Sequence, residues 1–443
     1  MRLGSIIPNF SANSTHGPIK FYDWLGESWC VLFSHPSDFT PVCTTELGRI
    51  AVHKEHFLKR NVKLLAHSVD DIKSHCDWVN DIKSYCLDIV GDFPYPIIAD
   101  PNRQLAVALD MIDEEQKNDP EIAKTVRALY VIDPNHKLRL SMVYPMSTGR
   151  NVDEILRVID SLQLTDRLPY IATPANWMPV LSCELDTSVT APSSHVSFIM
   201  SPQTVDSKPM GRDNSPFILF VEMRLGSIIP NFSANSTHGP IKFYDWLGES
   251  WCVLFSHPSD FTPVCTTELG RIAVHKEHFL KRNVKLLAHS VDDIKSHCDW
   301  VNDIKSYCLD IVGDFPYPII ADPNRQLAVA LDMIDEEQKN DPEIAKTVRA
   351  LYVIDPNHKL RLSMVYPMST GRNVDEILRV IDSLQLTDRL PYIATPANWM
   401  PGEKVMILPT IDEETANKVF TEKSIDRVGM PSGKNYVRTT TNY

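Results

Sequence analysis

The chain has 443 residues, a formal net charge of −13 and a hydrophobic share of 43%. That acidic balance argues against nucleic acid or an anionic membrane surface as a primary partner. No apolar run approaches the ~20 residues needed to cross a bilayer, and the N-terminal MRLGSIIPNFSANS lacks the charged-then-apolar layout of a signal peptide. No stable membrane association is expected, and the nine cysteines, none in a C-x-x-C pair, fit a reducing, cytoplasmic setting better than a disulfide scaffold.

Residues 1–179 recur without a substitution as residues 223–401. The unit is far too long for a solenoid repeat, so it reads as a duplicated domain able to bury its own core. The expected organisation is a first copy over 1–179, a linker over 180–222, a second copy over 223–391 and a small C-terminal domain over 392–443, present on the second copy only. The linker is rich in Ser, Pro and Thr, has no sustained period, and reads as disordered despite the apolar FILFVE near its end. Perfect identity followed by pattern-free sequence and a fresh Met223 is what a very recent duplication or a fused gene model leaves.

Within a copy, WCVLFS (29–34) reads as a buried strand and CTTELGRIAVHKEHFLKRN (43–61) as one helix with Leu47, Ile50, Ala51, Phe57 and Leu58 on a face. VKLLAHSV (62–69) is the next strand. DDIKSHCDWVNDIKSYC (70–86) is a helix with an acidic start. YPIIAD (95–100) is short and extended, and RQLAVALDMI (103–112) is helical. Residues 127–145 read as a hairpin turning at Asp133–His136, and 151–166 as an amphipathic helix. This order indicates an α/β domain with a mixed central sheet. In the tail, 403–411 reads as a strand, 412–420 as a helix, and 431–443 as a Gly turn followed by a strand.

Cys43, and its copy Cys265, follow a strand at the mouth of a helix, where unpaired N–H groups and the dipole favour thiolate, the nucleophilic form. Thr40 is placed to donate to the sulfur or to an oxygen approaching it. Pro36 and Pro41 stiffen the loop. Glu46 stands ready to orient a cation. A cysteine in such a domain is more often a small buried hydrophobe, and Cys30, Cys76 and Cys86 are read that way. His35 and Cys43 lack a second pair at ligand spacing, so zinc is not expected. His67 and His75 are read as ordinary.

The segment PSDFTPVCTTE resembles the P-x-x-x-T-x-x-C motif of the peroxiredoxins. With SHPSDFTPVCTTELG, RNVKLLAHSVD, YPMSTGRNVDEILRVIDSLQLT and GEKVMILPTI, the chain is similar to the 1-Cys peroxiredoxins of the peroxiredoxin-6 subfamily. The resemblance implies a thioredoxin-like fold in two tandem copies. It places the peroxidatic cysteine on Cys43 and Cys265, its threonine on Thr40 and Thr262, its proline on Pro36 and Pro258, and its arginine on Arg127 and Arg349. Supporting positions fall on His35 and His257, Glu46 and Glu268, and Arg150 and Arg372. The thiolate would attack a peroxide to give a sulfenic acid. Both copies lack the Val-Cys-Pro segment of two-cysteine relatives, so an external thiol is implied, glutathione delivered by a glutathione transferase. Neither a metal nor a bound cofactor is implied. The substrates would be hydrogen peroxide and organic, including phospholipid, hydroperoxides, and the assembly a homodimer or an intrachain pseudo-dimer.

The pattern departs from the subfamily where a phospholipase A2 activity is assigned. Here GESWC keeps Ser28, but the histidine position holds Tyr22 and the aspartate position Asn135, so the base and its orienting partner are replaced and that activity is not expected. The first copy lacks the C-terminal domain, so its active-site loop is expected to be the more exposed, and Cys265 the safer site. A redox-switched holdase or peroxide sensor is the alternative from another class.

Overall fold

The computed structural model describes residues 1–119, 123–179, 198–199, 223–338, 341 and 345–443. The expected linker therefore lies outside the described residues, save for the two-residue strand Phe198–Ile199.

The first copy contains β1 (Ser11–Ser14), β2 (Gly17–Lys20), α1 (Phe21–Leu25), β3 (Trp29–Ser34), α2 (Pro41–Val52), α3 (Lys54–Leu58), β4 (Val62–Ser68), α4 (Ile72–Tyr85), β5 (Ile97–Ala99), α5 (Gln104–Ala108), β6 (Arg127–Ile132), β7 (Leu138–Tyr144), α6 (Val152–Arg167) and β8 (Ile171–Ala172). Its sheet runs β7-β6-β3-β4-β5-β1-β2, with β3, β4 and β5 parallel and the outer strands antiparallel. Every residue of β3 is buried, as expected of a strand covered on both faces. Alternate β3 side chains divide between two cores: Val31 and Phe33 pack with α2, α4 and α6, while Cys30 and Leu32 pack with Phe21 and Leu25 of α1, following the period of two of a strand.

Helix starts follow local chemistry. Asp71 caps α4 by accepting from the Ser74 N–H at 2.8 Å, and Asn151 caps α6 through the Asp153 N–H at 3.1 Å. The expected 43–61 helix is two helices, broken at His53, where ψ turns to 9°. The β1–β2 hairpin and α1 were not anticipated; they are short and carry little hydrophobic period.

The two copies form one continuous sheet of fourteen strands. The joining pair is β7 with Leu360–Tyr366, antiparallel, with Met142 opposite Met364. The contacts across it are reciprocal. Tyr144 donates to Glu376 at 3.0 Å and Tyr366 to Glu154 at 2.9 Å, and Arg379 donates to the Gly149 carbonyl as Arg157 does to that of Gly371, both at 3.0 Å. This is the isologous geometry of a two-fold dimer, made within one chain.

The tail forms a four-stranded sheet ordered Ile393–Ala394, Val405–Ile407, Arg438–Thr440, Ile425–Arg427, with helix Glu413–Phe420. Here the expectation that the first copy's active-site loop is the more exposed is overturned. The domain belongs covalently to the second copy but packs on the first. Residues 395–398 run beside 147–150, with the Gly149 N–H on the Thr395 carbonyl at 2.9 Å and the Asn398 N–H on the Arg150 carbonyl at 3.0 Å. The pseudo-two-fold carries each copy's C-terminal end across to the other copy, so the first copy's loop is the covered one. In mirror fashion, residues 173–176 cross to 369–372, and β8 pairs with Phe198–Ile199 as Ile393–Ala394 pairs with Val405–Ile407, Ile171 facing Ile199 as Ile393 faces Ile407.

Candidate active site

Thr40 is the extended N-cap of α2 and Pro41 its first helical residue, a position where a missing N–H costs nothing. Cys43 is thereby held in the first turn, completely buried. The Arg127 guanidinium reaches its Sγ at 3.3 Å through Nη1. Arg127 is the first residue of β6, and its Nε and Nη2 also grip the Met146 carbonyl at 2.9 and 2.7 Å. Glu46, one turn along α2, accepts from Arg127 and from Arg150, whose backbone N–H and Nε approach Oε1 at 2.8 and 2.9 Å. Arg150 also donates to the Ala128 carbonyl at 2.7 Å.

Burial alone would push the Glu46 carboxyl up, but Arg127 and Arg150 outweigh it and hold the group below its ordinary range. Burial likewise disfavours the charged form of Arg127, and the Cys43 sulfur and Glu46 overcome it, so its guanidinium is held above its ordinary value. Fixed positive charge therefore sits beside a buried sulfur. The second copy repeats the geometry, with Arg349 at 3.3 Å from Cys265 and Arg372 Nε at 2.9 Å from Glu268.

Two site residues sit differently from expectation. The Thr40 hydroxyl donates to the Ser37 carbonyl at 2.8 Å, and Thr262 does the same to Ser259 at 2.9 Å. His35 and His257 lie in buried networks that sequence spacing did not show. His35 Nε2 meets Asp38 Oδ1 at 2.9 Å, and His75 Nδ1 meets Oδ2 at 2.7 Å. Ser74 adds a bond to Oδ2 at 2.7 Å, and His75 Nε2 faces the Ile98 carbonyl at 3.2 Å. These ligand-type atoms lie within 4.8 Å of one another, but both Asp38 oxygens are already engaged, which accounts for the cluster without an ion. Burial pushes the Asp38 carboxyl up, and the two histidines reverse it to well below the carboxylate range. Burial holds the His35 imidazole below its ordinary value. His35 Nδ1 and His257 Nδ1 are buried and have no hydrogen-bond partner among the described residues. Pro36 and Pro258 are buried in the same loops.

Sequence reading also missed the residues that join the tail to this site. Asp81 on α4 accepts from the Ser432 N–H, the Ser432 hydroxyl and the Tyr436 hydroxyl at 2.8, 2.6 and 3.0 Å. Thr44, beside Cys43, lies 3.4 Å from the Tyr436 hydroxyl and accepts from Trp78 Nε1 at 3.1 Å. Asp81 was the available signal, a carboxylate between Trp78 and Ile82 on the helix face both of them bury. At the positions tied to phospholipase activity, the Ser28 hydroxyl bonds Asn61 at 2.9 Å, and Tyr22 stacks on His136 with its hydroxyl on the Ile7 carbonyl at 2.6 Å.

A buried cysteine in a helix's first turn, under an arginine, on a thioredoxin-like mixed sheet, defines a thiol-dependent oxidoreductase. The AhpC/TSA family matches residues 3–141 and 225–363, and the C-terminal domain of 1-Cys peroxiredoxin matches 383–423. Peroxiredoxin-6 of Homo sapiens is 52% identical over 217 residues, 49% of this chain and 96% of that protein. Peroxiredoxin-6 of Gallus gallus is 50% identical over the same shares. Among solved structures, a cysteine-to-serine mutant of the peroxiredoxin 6 of Arenicola marina is 50% identical with a TM-score of 0.47, covering 49% of this chain and 98% of that one. A yeast mitochondrial 1-Cys peroxiredoxin, whose thiol is resolved via glutathione/thioredoxin systems, is 46% identical with a TM-score of 0.44 and the same coverage. The chain belongs to the AhpC/TSA family as a tandem 1-Cys peroxiredoxin of the peroxiredoxin-6 group, and is a thiol peroxidase. No helix among the described residues is long and apolar enough to cross a membrane.

Proposed function

We propose that Cys43 and Cys265 are peroxidatic thiolates that reduce hydrogen peroxide and organic hydroperoxides, and that an external thiol, glutathione, resolves each. The observation that carries this is the 3.3 Å approach of Arg127 to Cys43 and of Arg349 to Cys265. In each copy the sulfur attacks the terminal peroxide oxygen. The S–O bond forms as the O–O bond breaks, leaving a sulfenic acid and an alkoxide or hydroxide that takes a proton. The arginine, locked by Glu46 or Glu268 and by a backbone carbonyl, supplies preorganised positive charge to the oxygens as charge develops. Arg150 and Arg372 hold those glutamates and so act as positioning residues. Thr40 and Thr262 shape the loop through their carbonyl bonds, with Pro36 and Pro258 excluding water. The unpartnered His35 and His257 nitrogens remain open to a transient hydrogen bond.

The sulfenic acid then condenses with one glutathione, losing water, and a second glutathione releases the enzyme thiol as glutathione disulfide. Resolution from outside is supported by the lack of any cysteine in the tail after residue 401 and by the glutathione/thioredoxin chemistry of the yeast relative.

The test is peroxide consumption with glutathione and a glutathione transferase, using Cys43→Ser, Cys265→Ser and the double variant. Each single variant is expected to keep part of the turnover and the double variant none. Wild-type turnover in the double variant would sink the assignment.

A further inference from the structure

The residues that receive the tail on the first copy occur again, letter for letter, on the second. On the first copy Asp81 is buried and accepts from the Ser432 N–H, the Ser432 hydroxyl and the Tyr436 hydroxyl. The Tyr436 ring stands edge-on to Phe39 at 6.1 Å, and the Lys434 ammonium lies 3.2 Å over the same phenylalanine. Lys434 shares a groove with Asp71 and Asp77. Met430, Tyr436 and Val437 complete the contact by joining the core that α2 and α4 build.

On the second copy the counterparts stand uncovered. Asp303 and Tyr307 are exposed, as are Asp293 and Asp299, and Phe261 keeps 48% of its surface. Among the described residues no hydrogen bond or ion pair reaches Asp303. The receiving surface is nonetheless already shaped. Trp300 donates to Thr266 at 3.1 Å, as Trp78 does to Thr44. Phe261 has a φ of 53° where Phe39 has 51°, and its ring lies 6.4 Å from Trp300 where that of Phe39 lies 6.5 Å from Trp78. The tail therefore changes exposure and leaves geometry alone, and a preorganised surface binds without the cost of rearranging.

The first copy also shows what the surface recognises. Its occupant is a short irregular segment with a methionine, a serine, a lysine and a tyrosine at alternate positions, Met430, Ser432, Lys434 and Tyr436. The exposed carboxylates of Asp293, Asp299 and Asp303 suit the lysine of such a segment.

We propose that the face of the second copy around Asp303 is a peptide-docking site, which takes a Met-x-Ser-x-Lys-x-Tyr segment from another polypeptide as the first copy takes residues 430–436 from the tail. Asp303 receives the serine N–H and the two hydroxyls, and Phe261 receives the ammonium. The tyrosine then stands beside Thr266, the residue after Cys265, so a docked partner reaches the edge of the thiol site. Docking needs no turnover at either cysteine.

The test titrates the full chain into a fluorescently labelled synthetic peptide of residues 428–438 and follows anisotropy. Binding should saturate at one peptide per chain. Asp303→Ala should weaken it about tenfold or more, because the hydrogen bonds lost are made to a charge. Asp303 is exposed, so the fold does not depend on it. A peptide carrying Ser432→Ala and Tyr436→Phe removes the same bonds from the other side, on unaltered protein, and should lose a similar factor. The two losses should not add, since each deletes what the other deletes. Failure to saturate by about 1 mM peptide overturns the proposal, and is the result expected if residues 180–222 of the chain itself close the face. Equal affinity for wild type and Asp303→Ala also overturns it, and is what displacement of the tail from the first copy would give. Losses that add overturn it as well.

Discussion

Glu46 is a carboxylate with 1% exposure, compensated by two guanidiniums that are buried with it. Taking one member out of such a cluster leaves charge uncompensated, so Glu46→Gln should cost about 3–5 kcal/mol of stability, read by urea denaturation. The pH dependence has a definite sign. The folded carboxyl titrates below its ordinary value of 4.5, so the folded state binds fewer protons than the unfolded one in that window. Its contribution is complete above about pH 4.5 and is lost as pH falls through the lower folded value. The stability gap between wild type and Glu46→Gln should therefore be flat from pH 7 to 5 and shrink below that; a gap that widens in acid would refute the assignment. The carboxylate's role was legible in the sequence, because three residues along a helix from Cys43 is one turn. Thr40 was not, because a hydroxyl bonds whichever carbonyl the loop offers, and the loop offers Ser37. Nor was Asp38, whose histidine partners come from three and thirty-seven residues away.

α2 positions Cys43, and what fixes α2 is its packing on α4. Gly48 is the point of closest approach: a Cβ there would lie 2.2 Å from the Cys86 sulfur and 3.2 Å from its Cβ. Gly48→Ala must push α4 away or distort α2, an overpacking cost of about 1–3 kcal/mol. Cys86→Ala removes the nearer atom, so the Gly48→Ala/Cys86→Ala pair should recover much of the loss in a denaturation cycle. If the double variant is no more stable than Gly48→Ala alone, the clash lies elsewhere. The long elements were readable because their periods are sustained: the all-apolar β3, α4 with its acidic cap, and α6 with Asn151. The break at His53 was hidden by an apolar face that continues from Ile50 to Phe57 across it. Short pieces such as β1, β2 and α1 owe their form to the sheet edge and core they join, with Phe21 packed on Phe10 at 4.7 Å, and local sequence carries little of that.

At the scale of the whole chain, tethering makes the pairing of the two copies intramolecular, so it does not depend on protein concentration as a free dimer's does. Duplication and fold class were readable directly, but the seat of the C-terminal domain was not. Sequence shows that residues 392–443 adjoin the second copy covalently; only the three-dimensional pairing sends 395–398 past Gly149 and onto the first. Gly149 is where that crossing is tightest. A Cβ there would stand 2.4 Å from both the carbonyl carbon and the oxygen of Pro396, backbone atoms that cannot rotate aside as a side chain can. Its counterpart Gly371 meets Pro174 equally closely, at 2.4 Å, on the crossing that carries no C-terminal domain. Gly149→Ala should therefore loosen the domain over Cys43, whereas Gly371→Ala should loosen only 173–176. Hydrogen exchange can separate the two, because residues 403–443 occur once in the chain and their peptides are unambiguous. In Gly149→Ala those peptides should exchange about tenfold faster, the factor that each 1.4 kcal/mol of local stability brings. In Gly371→Ala they should match wild type. Equal protection of 403–443 in the two variants would mean that the crossing at Gly149 does not hold the domain in place.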